Sequence, residues 1–327
     1  MKICVTGALG LVGSEAVRFY LQRGDIVIGV DNDMRRHFFG EEASVAKNMI
    51  DHGHYLHCGK DISQIEPLVA TEKPDVIIHC AAQPSHDWSA TNPIADFTVN
   101  AIGTLLLLEM ARKYVPDCVF VYCSTNKVYG DHPNKLEFME LKTRYEPMKF
   151  KDIDESMSVD FCTHSPFGVS KLSGDLYVQE YGRYYGMKTG VFRCGCITGS
   201  RHAGTELHGF LSYMVKCKKE KKRYNVYGYK GKQVRDNIHA FDLVNAFDHF
   251  ISNPRSGEVY NMGGGRHSNI SVLEALEKLK LDYEYFDNPR IGDHKWYVSD
   301  ISKFKNHYPG WEYKYDMEAI FEDLLSS

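Results

Sequence analysis

Residues 167 and 171 are four apart in Ser165-Pro166-Phe167-Gly168-Val169-Ser170-Lys171, so one helical turn brings their side chains together. A tyrosine at the first place would make an acid–base pair, because the lysine ammonium lowers a phenol pKa from about 10 towards neutrality. The chain carries Phe167, which neither gives nor takes a proton. A second constellation, Ser124-Thr125-Asn126-Lys127, sets two hydroxyls, an amide and another lysine in direct succession.

A third motif, Thr6-Gly7-Ala8-Leu9-Gly10-Leu11-Val12-Gly13, follows an apolar run at 2–6 and opens a helical pattern. In that strand–turn–helix context Gly7, Gly10 and Gly13 allow a tight turn, close backbone approach to a pyrophosphate and tight helix packing. Leu11 and Val12 lie in the same loop. A second apolar run ends at Asp31, where a carboxylate accepts hydrogen bonds from the adenosine ribose and repels a 2′-phosphate. This favours NAD over NADP, although Arg35 and Arg36 follow closely. Asp61-Ile62 fits a loop against adenine, and Ala81-Ala82-Gln83 fits the groove wall.

These motifs need a scaffold. Strands are expected at 2–6, 26–30, 76–80, 119–123 and 189–193, with helical patterns such as 14–23 and 100–114 between them. Continuous apolar strands alternating with helices imply an α/β fold, a doubly wound, Rossmann-type parallel sheet. After Arg193 the stretches 195–209 and 254–268 are rich in Gly, His, Thr or Pro and read as loops of a smaller C-terminal substrate-binding lobe. The helical pattern at 241–252 returns to the core. The expected division is 1–193 with about 233–253 for the nucleotide domain, and about 194–232 with 254–327 for the lobe.

With 39 basic and 43 acidic residues, the chain has no basic field for a nucleic acid, and its one dense basic run, at 218–223, reads as a solvated helix end. No stretch is expected to span a membrane. Nine scattered cysteines suit a reducing, cytoplasmic compartment, and Cys194-Gly195-Cys196 lacks the partners of a metal site.

Together the glycine motif, Ser124-Thr125 and Lys171 resemble the extended short-chain dehydrogenase/reductases, the nucleotide-sugar epimerase and dehydratase family. Segments 124–131, 143–145, 165–171 and Gly231-Lys232-Gln233-Val234-Arg235-Asp236 are most similar to enzymes that epimerise CDP-linked hexoses at C2. The resemblance implies a bound NAD, a nucleotide-diphosphate sugar substrate, a transient 2-keto sugar and a homodimer. It further implies that Ser124 and Thr125 position the reacting hydroxyl, that Lys171 holds the nicotinamide ribose, and that backbone after Arg193 flanks the carboxamide. Asn32, Asn100 and Cys123 are expected in the cofactor groove. Arg235 and Arg290 would meet the diphosphate as bidentate forks, with His86, Asn126, Lys127, Cys196, Arg201 and Glu206 also at the substrate. Loop 201–209 and the aromatic cluster at 224–229 are expected to select the nucleotide. Dehydratases carry Asp-Glu after the threonine, so Asn126-Lys127 argues against dehydration.

Phe167 departs from the family pattern. Three accounts stay open: a natural branch in which another group takes the proton, an engineered Tyr→Phe substitution, or a binding protein that keeps the pockets without catalysis. If another base exists it must reach the substrate hydroxyl, and Lys127 is the favoured candidate, since a desolvated lysine beside an oxidised nicotinamide loses basicity. His164 and Tyr145 are weaker candidates, and His86, His202 and His208 are expected in loops bordering the pocket.

Overall fold

The chain builds a parallel sheet because its strand segments are apolar on both faces: Ile3, Val5, Ile77, Ile78, Phe120 and Val121 are all fully buried. The computed structural model describes residues 1–202, 204–206, 209–290 and 292–326, so His208 lies outside the described residues. Seven parallel strands run in the order Glu258–Met262, Lys188–Cys194, Val119–Thr125, Val76–His79, Lys2–Thr6, Ile26–Val30, Tyr55–Cys58. The order reverses between Lys2–Thr6 and Val76–His79, which opens a crevice at the carboxyl ends of the strands.

Helices cover both faces. Leu11–Gln22 and Ala240–Ser252 bury Val17, Tyr20, Leu243 and Phe247 on one side, and Gly103–Tyr114 and Pro166–Tyr185 bury Leu107, Leu108 and Val178 on the other. The helix Pro166–Tyr185 is started by Ser165, whose Oγ accepts from Gly168 N, and by Pro166; it stops at Gly186, which takes φ 72.

The lobe is built on Val234–His239, which pairs with Asn269–Ser271, Trp296–Tyr297 and Cys196–Thr198. Helices Phe210–Lys219, Val272–Leu279 and Met317–Ser326 enclose a separate apolar cluster that includes Leu211, Met214, Leu276 and Ile320.

Two boundaries differ from expectation. Strand Val234–His239 belongs to the lobe, not to the nucleotide domain, while Glu258–Met262, read as loop, is an edge strand of the main sheet. Edge position hides such a strand in sequence, because flanking Gly and Pro dominate the pattern. The same holds for Tyr55–Cys58, whose residues are only partly buried. The expectation of no membrane-length stretch also needs correction. The helical run Pro93–Tyr114 is long and apolar enough, at mean hydropathy 1.5, but half of that stretch is buried against the core.

Beneath the crevice, Asp175 accepts from Arg193 Nε at 2.9 Å and Nη2 at 2.8 Å and from Ser124 Oγ at 2.7 Å. Asp175 is fully buried and Arg193 nearly so. Removing one partner of such a pair strands the other charge, so Asp175→Ala should cost about 3 to 5 kcal/mol in urea unfolding. An unchanged unfolding midpoint would show that Arg193 finds other compensation.

Candidate active site

A cavity of about 500 Å³ follows the crevice from the glycine loop to the lobe. At its inner end Gly7 takes φ 69, and a Cβ there would lie 2.7 Å from Ala81 N. Only glycine fits. Helix Leu11–Gln22 has no side-chain cap at Gly10, so its first amides are left for an anion. Asp31 accepts from Leu9 N and Asp33 N, each at 2.8 Å, and lines the groove. Burial pushes its carboxyl up from the ordinary value, with the two amide bonds opposing. Asn32, Asp61, Ile62, Ala81 and Ala82 line the same groove.

At the centre, Lys171 Nζ donates to Cys123 O at 2.9 Å and sits 4.3 Å from the centre of the Tyr122 ring; both contacts stabilise its ammonium in a buried place. Thr125 Oγ1 accepts from Lys127 N at 3.2 Å, capping the turn Asn126–Tyr129 and holding Thr125, Asn126 and Lys127 on the cavity wall. Lys127 Nζ donates to Gly292 O at 2.8 Å. Burial lowers its pKa to about 8; Asp293 opposes that shift, while Arg235 and Arg290 reinforce it.

Phe167 is buried and lines this centre, its ring 4.9 Å from that of His86. The ring nitrogen Nδ1 of His86 meets Ser165 Oγ at 2.9 Å, whereas Nε2 is buried without a hydrogen bond. Burial, reinforced by Lys127, brings the His86 pKa down to about 3, so the imidazole is neutral. Ser165 reaches His86 from φ 114, ψ 163, a conformation that favours glycine and persists in serine only when its surroundings enforce it.

Towards the lobe, Arg235 pairs with Asp293, which also lies 4.0 Å from Lys127 Nζ. Against its burial, Arg235 and Lys127 hold Asp293 well below the usual carboxylate range. Arg290 pairs with Asp87 at 2.7 Å and lines the cavity. Beyond the arginines the wall consists of Tyr224, Asn225, Val226, Tyr227, Glu206, Leu211 and Val272.

Several expected residues lie elsewhere. Ser124 borders the cavity, but its hydroxyl is turned to Asp175. Gln83 and Asn100 are buried behind the groove: Asn100 Oδ1 accepts from Gln83 N at 2.9 Å, and both side-chain amides donate to Asp96. The Arg193 side chain lies beneath the site with Asp175 and Tyr129; Cys194, Gly195 and Cys196 after it line the cavity. Arg201 is committed to Glu15 on the first helix and is not among the cavity-lining residues. His164 Nε2 donates to Val128 O at 2.8 Å, and Tyr145 packs under Lys295; neither lines the cavity. His202 does border it. Asp293, Met34, Phe38, Val45 and Lys60 line it as well, with no role expected for them from the sequence. Asp293 carried a signal, as the acid completing Arg290-Ile291-Gly292-Asp293 between expected cations.

A model of the NAD dependent epimerase/dehydratase family matches residues 3–263. The chain belongs to that family. A curated relative, CDP-paratose 2-epimerase of Salmonella typhi, is 33% identical over 94% of this chain and 93% of its own. A dTDP-glucose 4,6-dehydratase of Escherichia coli K12 is 31% identical over 98% and 85%. Among solved structures, UDP-glucose 4-epimerase of Thermotoga maritima with UDP-glucose superposes with TM-score 0.78 at 25% identity, covering 100% of this chain and 98% of that one. The dTDP-glucose 4,6-dehydratase of Bacillus anthracis in complex with NAD gives TM-score 0.78 at 26% identity, covering 100% and 96%. NAD is the cofactor of this family member, and the side-chain-free glycine cradle with Asp31 behind it fits the dinucleotide.

Asp31 lies in the groove where a carboxylate is expected to meet the adenosine ribose. Asp31→Ala should weaken NAD binding by roughly tenfold or more, the loss of hydrogen bonds to a charged acceptor, and narrow the gap to NADP. Calorimetry showing tighter NADP than NAD binding by the unmodified protein would refute the role.

Proposed function

We propose that this family member inverts C2 of a nucleotide-linked hexose, with a CDP-hexose as substrate. The observation that carries the reading is the continuity of one cavity from the dinucleotide groove, past Thr125, Lys127 and Lys171, to the arginine pair at the lobe. That sequence of surfaces suits a cofactor, a reacting sugar and a diphosphate in line. The C2 position and the cytidine rest on likeness to the CDP-paratose 2-epimerase. Asn126-Lys127 in place of an acid pair supports epimerisation over dehydration.

In this reading the glycine loop, Asp31 and Lys171 hold NAD, which supplies the hydride acceptor and donor that take C2 through a transient ketone. Thr125 Oγ1 orients the C2 hydroxyl. Lys127 Nζ, neutral, takes the hydroxyl proton and returns it to the oxygen when C2 is reduced on its other face. Arg235 and Arg290 grip the diphosphate, with Asp293 displaced from Arg235 as the phosphate arrives. His86 supports a second reading of the proton step, because its neutral ring lies against the Phe167 ring where a phenol would otherwise act.

The two acceptors separate by pH. Lys127 must be neutral to act, so kcat/KM should rise with pH through about 8 and level off above it. A profile flat between about pH 5 and 9 assigns the proton to His86, whose pKa of about 3 leaves it neutral throughout. Under the Lys127 reading, Lys127→Met should lower the rate by about 10²- to 10⁴-fold while Phe167→Tyr changes it little. Turnover is followed by NMR in deuterated buffer with CDP-, UDP- and dTDP-hexoses. Inversion at C2 without deuterium at that carbon is expected. Deuterium at C2, or inversion at C4 alone, would sink the proposed reaction. Phe167 also favours a binding protein without turnover, in which every sugar would come back unchanged.

We also infer a homodimer. Ile94, Phe97, Ile102 and Leu106 on the run Pro93–Tyr114 and Leu176 and Tyr177 on Pro166–Tyr185 are exposed apolar side chains on neighbouring helices. Such a patch marks an interface. Light scattering should give twice the 37.4 kDa chain mass, reduced to one chain by Leu176→Glu; a monomeric parent at micromolar concentration refutes it.

A further inference from the structure

The strand Tyr224–Tyr227 alternates buried and half-buried residues, so Asn225 and Tyr227 share one face and Tyr224 and Val226 the other. On the first face they converge on one carboxylate. Asn225 Nδ2 donates to Glu206 Oε1 at 2.7 Å and Tyr227 Oη donates to the same oxygen at 3.1 Å. Both bonds fix the carboxylate and leave Oε2 as an acceptor for a ligand. Glu206, Asn225 and Tyr227 line the cavity together with Tyr224, Leu211 and Val272, which offer flat and apolar surface for a planar base. Arg290 is near enough to Tyr224 and Tyr227 to act on both phenols, and Arg235 lines the same cavity. With a diphosphate on the arginines, the nucleoside attached to it lies in the cavity that Glu206 also lines.

We propose that Glu206 is a specificity residue that reads the exocyclic amino group of the substrate's base, and that this base is cytosine. The inference rests on the nucleotide-sugar reading above and adds the chemistry that selects the nucleotide. Uracil and thymine present a carbonyl oxygen where cytosine presents its N4 amino group, so against a carboxylate they set two acceptors face to face with no proton between them. Guanine offers two adjacent donors, N1–H and the N2 amino group, and would need both carboxylate oxygens; here one already serves Asn225 and Tyr227. Adenine shares the single amino donor with cytosine, and the binding panel separates the two.

Calorimetry on the full NAD-loaded chain with CDP, UDP, dTDP, ADP and GDP tests this. CDP should bind at least about tenfold more tightly than UDP or dTDP, the range of a hydrogen bond to a charged group. Glu206→Gln, whose amide can donate to a uracil O4, should bring CDP and UDP within about threefold, with NAD content unchanged. Tyr227→Phe keeps the carboxylate but removes one of the bonds that aim it, and should reduce the CDP-to-UDP ratio part-way; it also covers the case in which Glu206→Gln fails to fold. UDP or dTDP binding as tightly as CDP to the parent, ADP or GDP binding more tightly, or an unchanged ratio in both variants overturns the assignment. Binding of none of the five, with NAD retained, overturns the nucleotide-sugar reading itself and so is distinguishable from failure of the base reader alone.

Discussion

The carboxylate of Asp175, with no solvent exposure, is the constraint on which the active centre depends. It receives the Arg193 fork, the Ser124 hydroxyl and, at 2.6 Å, Gln179 Nε2. Arg193 passes the connection to Tyr129 at 3.2 Å, and Tyr129 donates to Asn261 at 2.7 Å. The network therefore ties helix Pro166–Tyr185 to the strands Val119–Thr125, Lys188–Cys194 and Glu258–Met262. A buried ion pair of this kind is weak evidence for net stability, but it strongly disfavours any register in which one charge is left alone. Its consequence is geometric: Lys171 is one helical turn before Asp175, and Thr125 and Cys194 are next to Ser124 and Arg193, so all three cavity-facing groups are set by one buried carboxylate.

Above that neutralised base the cavity carries an excess of positive charge. Lys127, Arg235 and Arg290 all line it, and Asp293 is placed against the first two. Under the proposed reading, an internal carboxylate in that position is the anion that a diphosphate would replace on the guanidinium. In that reading, exchange of Asp293 for a phosphate would keep the charge balance around Lys127 similar, and the lysine would stay close to the range in which it loses a proton. The chemistry and the binding are thus linked through one side chain whose role had no strong sequence signal.

Much of the scaffold was legible because its signals are local. Strand Lys2–Thr6 and the glycines after it read directly, since a buried parallel strand must be apolar and only glycine fits against Ala81. Asp31 was legible for the same reason. What the sequence hid depends on long-range partners. Ser124 looks like a catalytic hydroxyl until Asp175, 51 residues away, claims it. Arg201 resembles a substrate arginine until Glu15 is seen to hold it. Gln83 and Asn100 stiffen the groove from behind through Asp96 rather than lining it. The edge strand at 55–58 is hidden by its half-buried, mixed composition, the one at 258–262 by the Gly and Pro around it, and Val234–His239 by the fact that a buried strand does not say which sheet it joins.

Phe167 shows how a missing hydroxyl reshapes its surroundings. A tyrosine at this place would direct a polar group into the centre; the phenyl ring instead packs on His86, whose burial keeps the imidazole neutral. Burial likewise lowers the Lys127 pKa, to about 8. Ser165 contributes from the other side: its glycine-like backbone is tolerated because its one hydroxyl both caps the helix at Gly168 and meets His86. The helix start, the imidazole and the phenyl ring therefore form one packed unit, in which restoring a phenol would bring a polar group back beside His86.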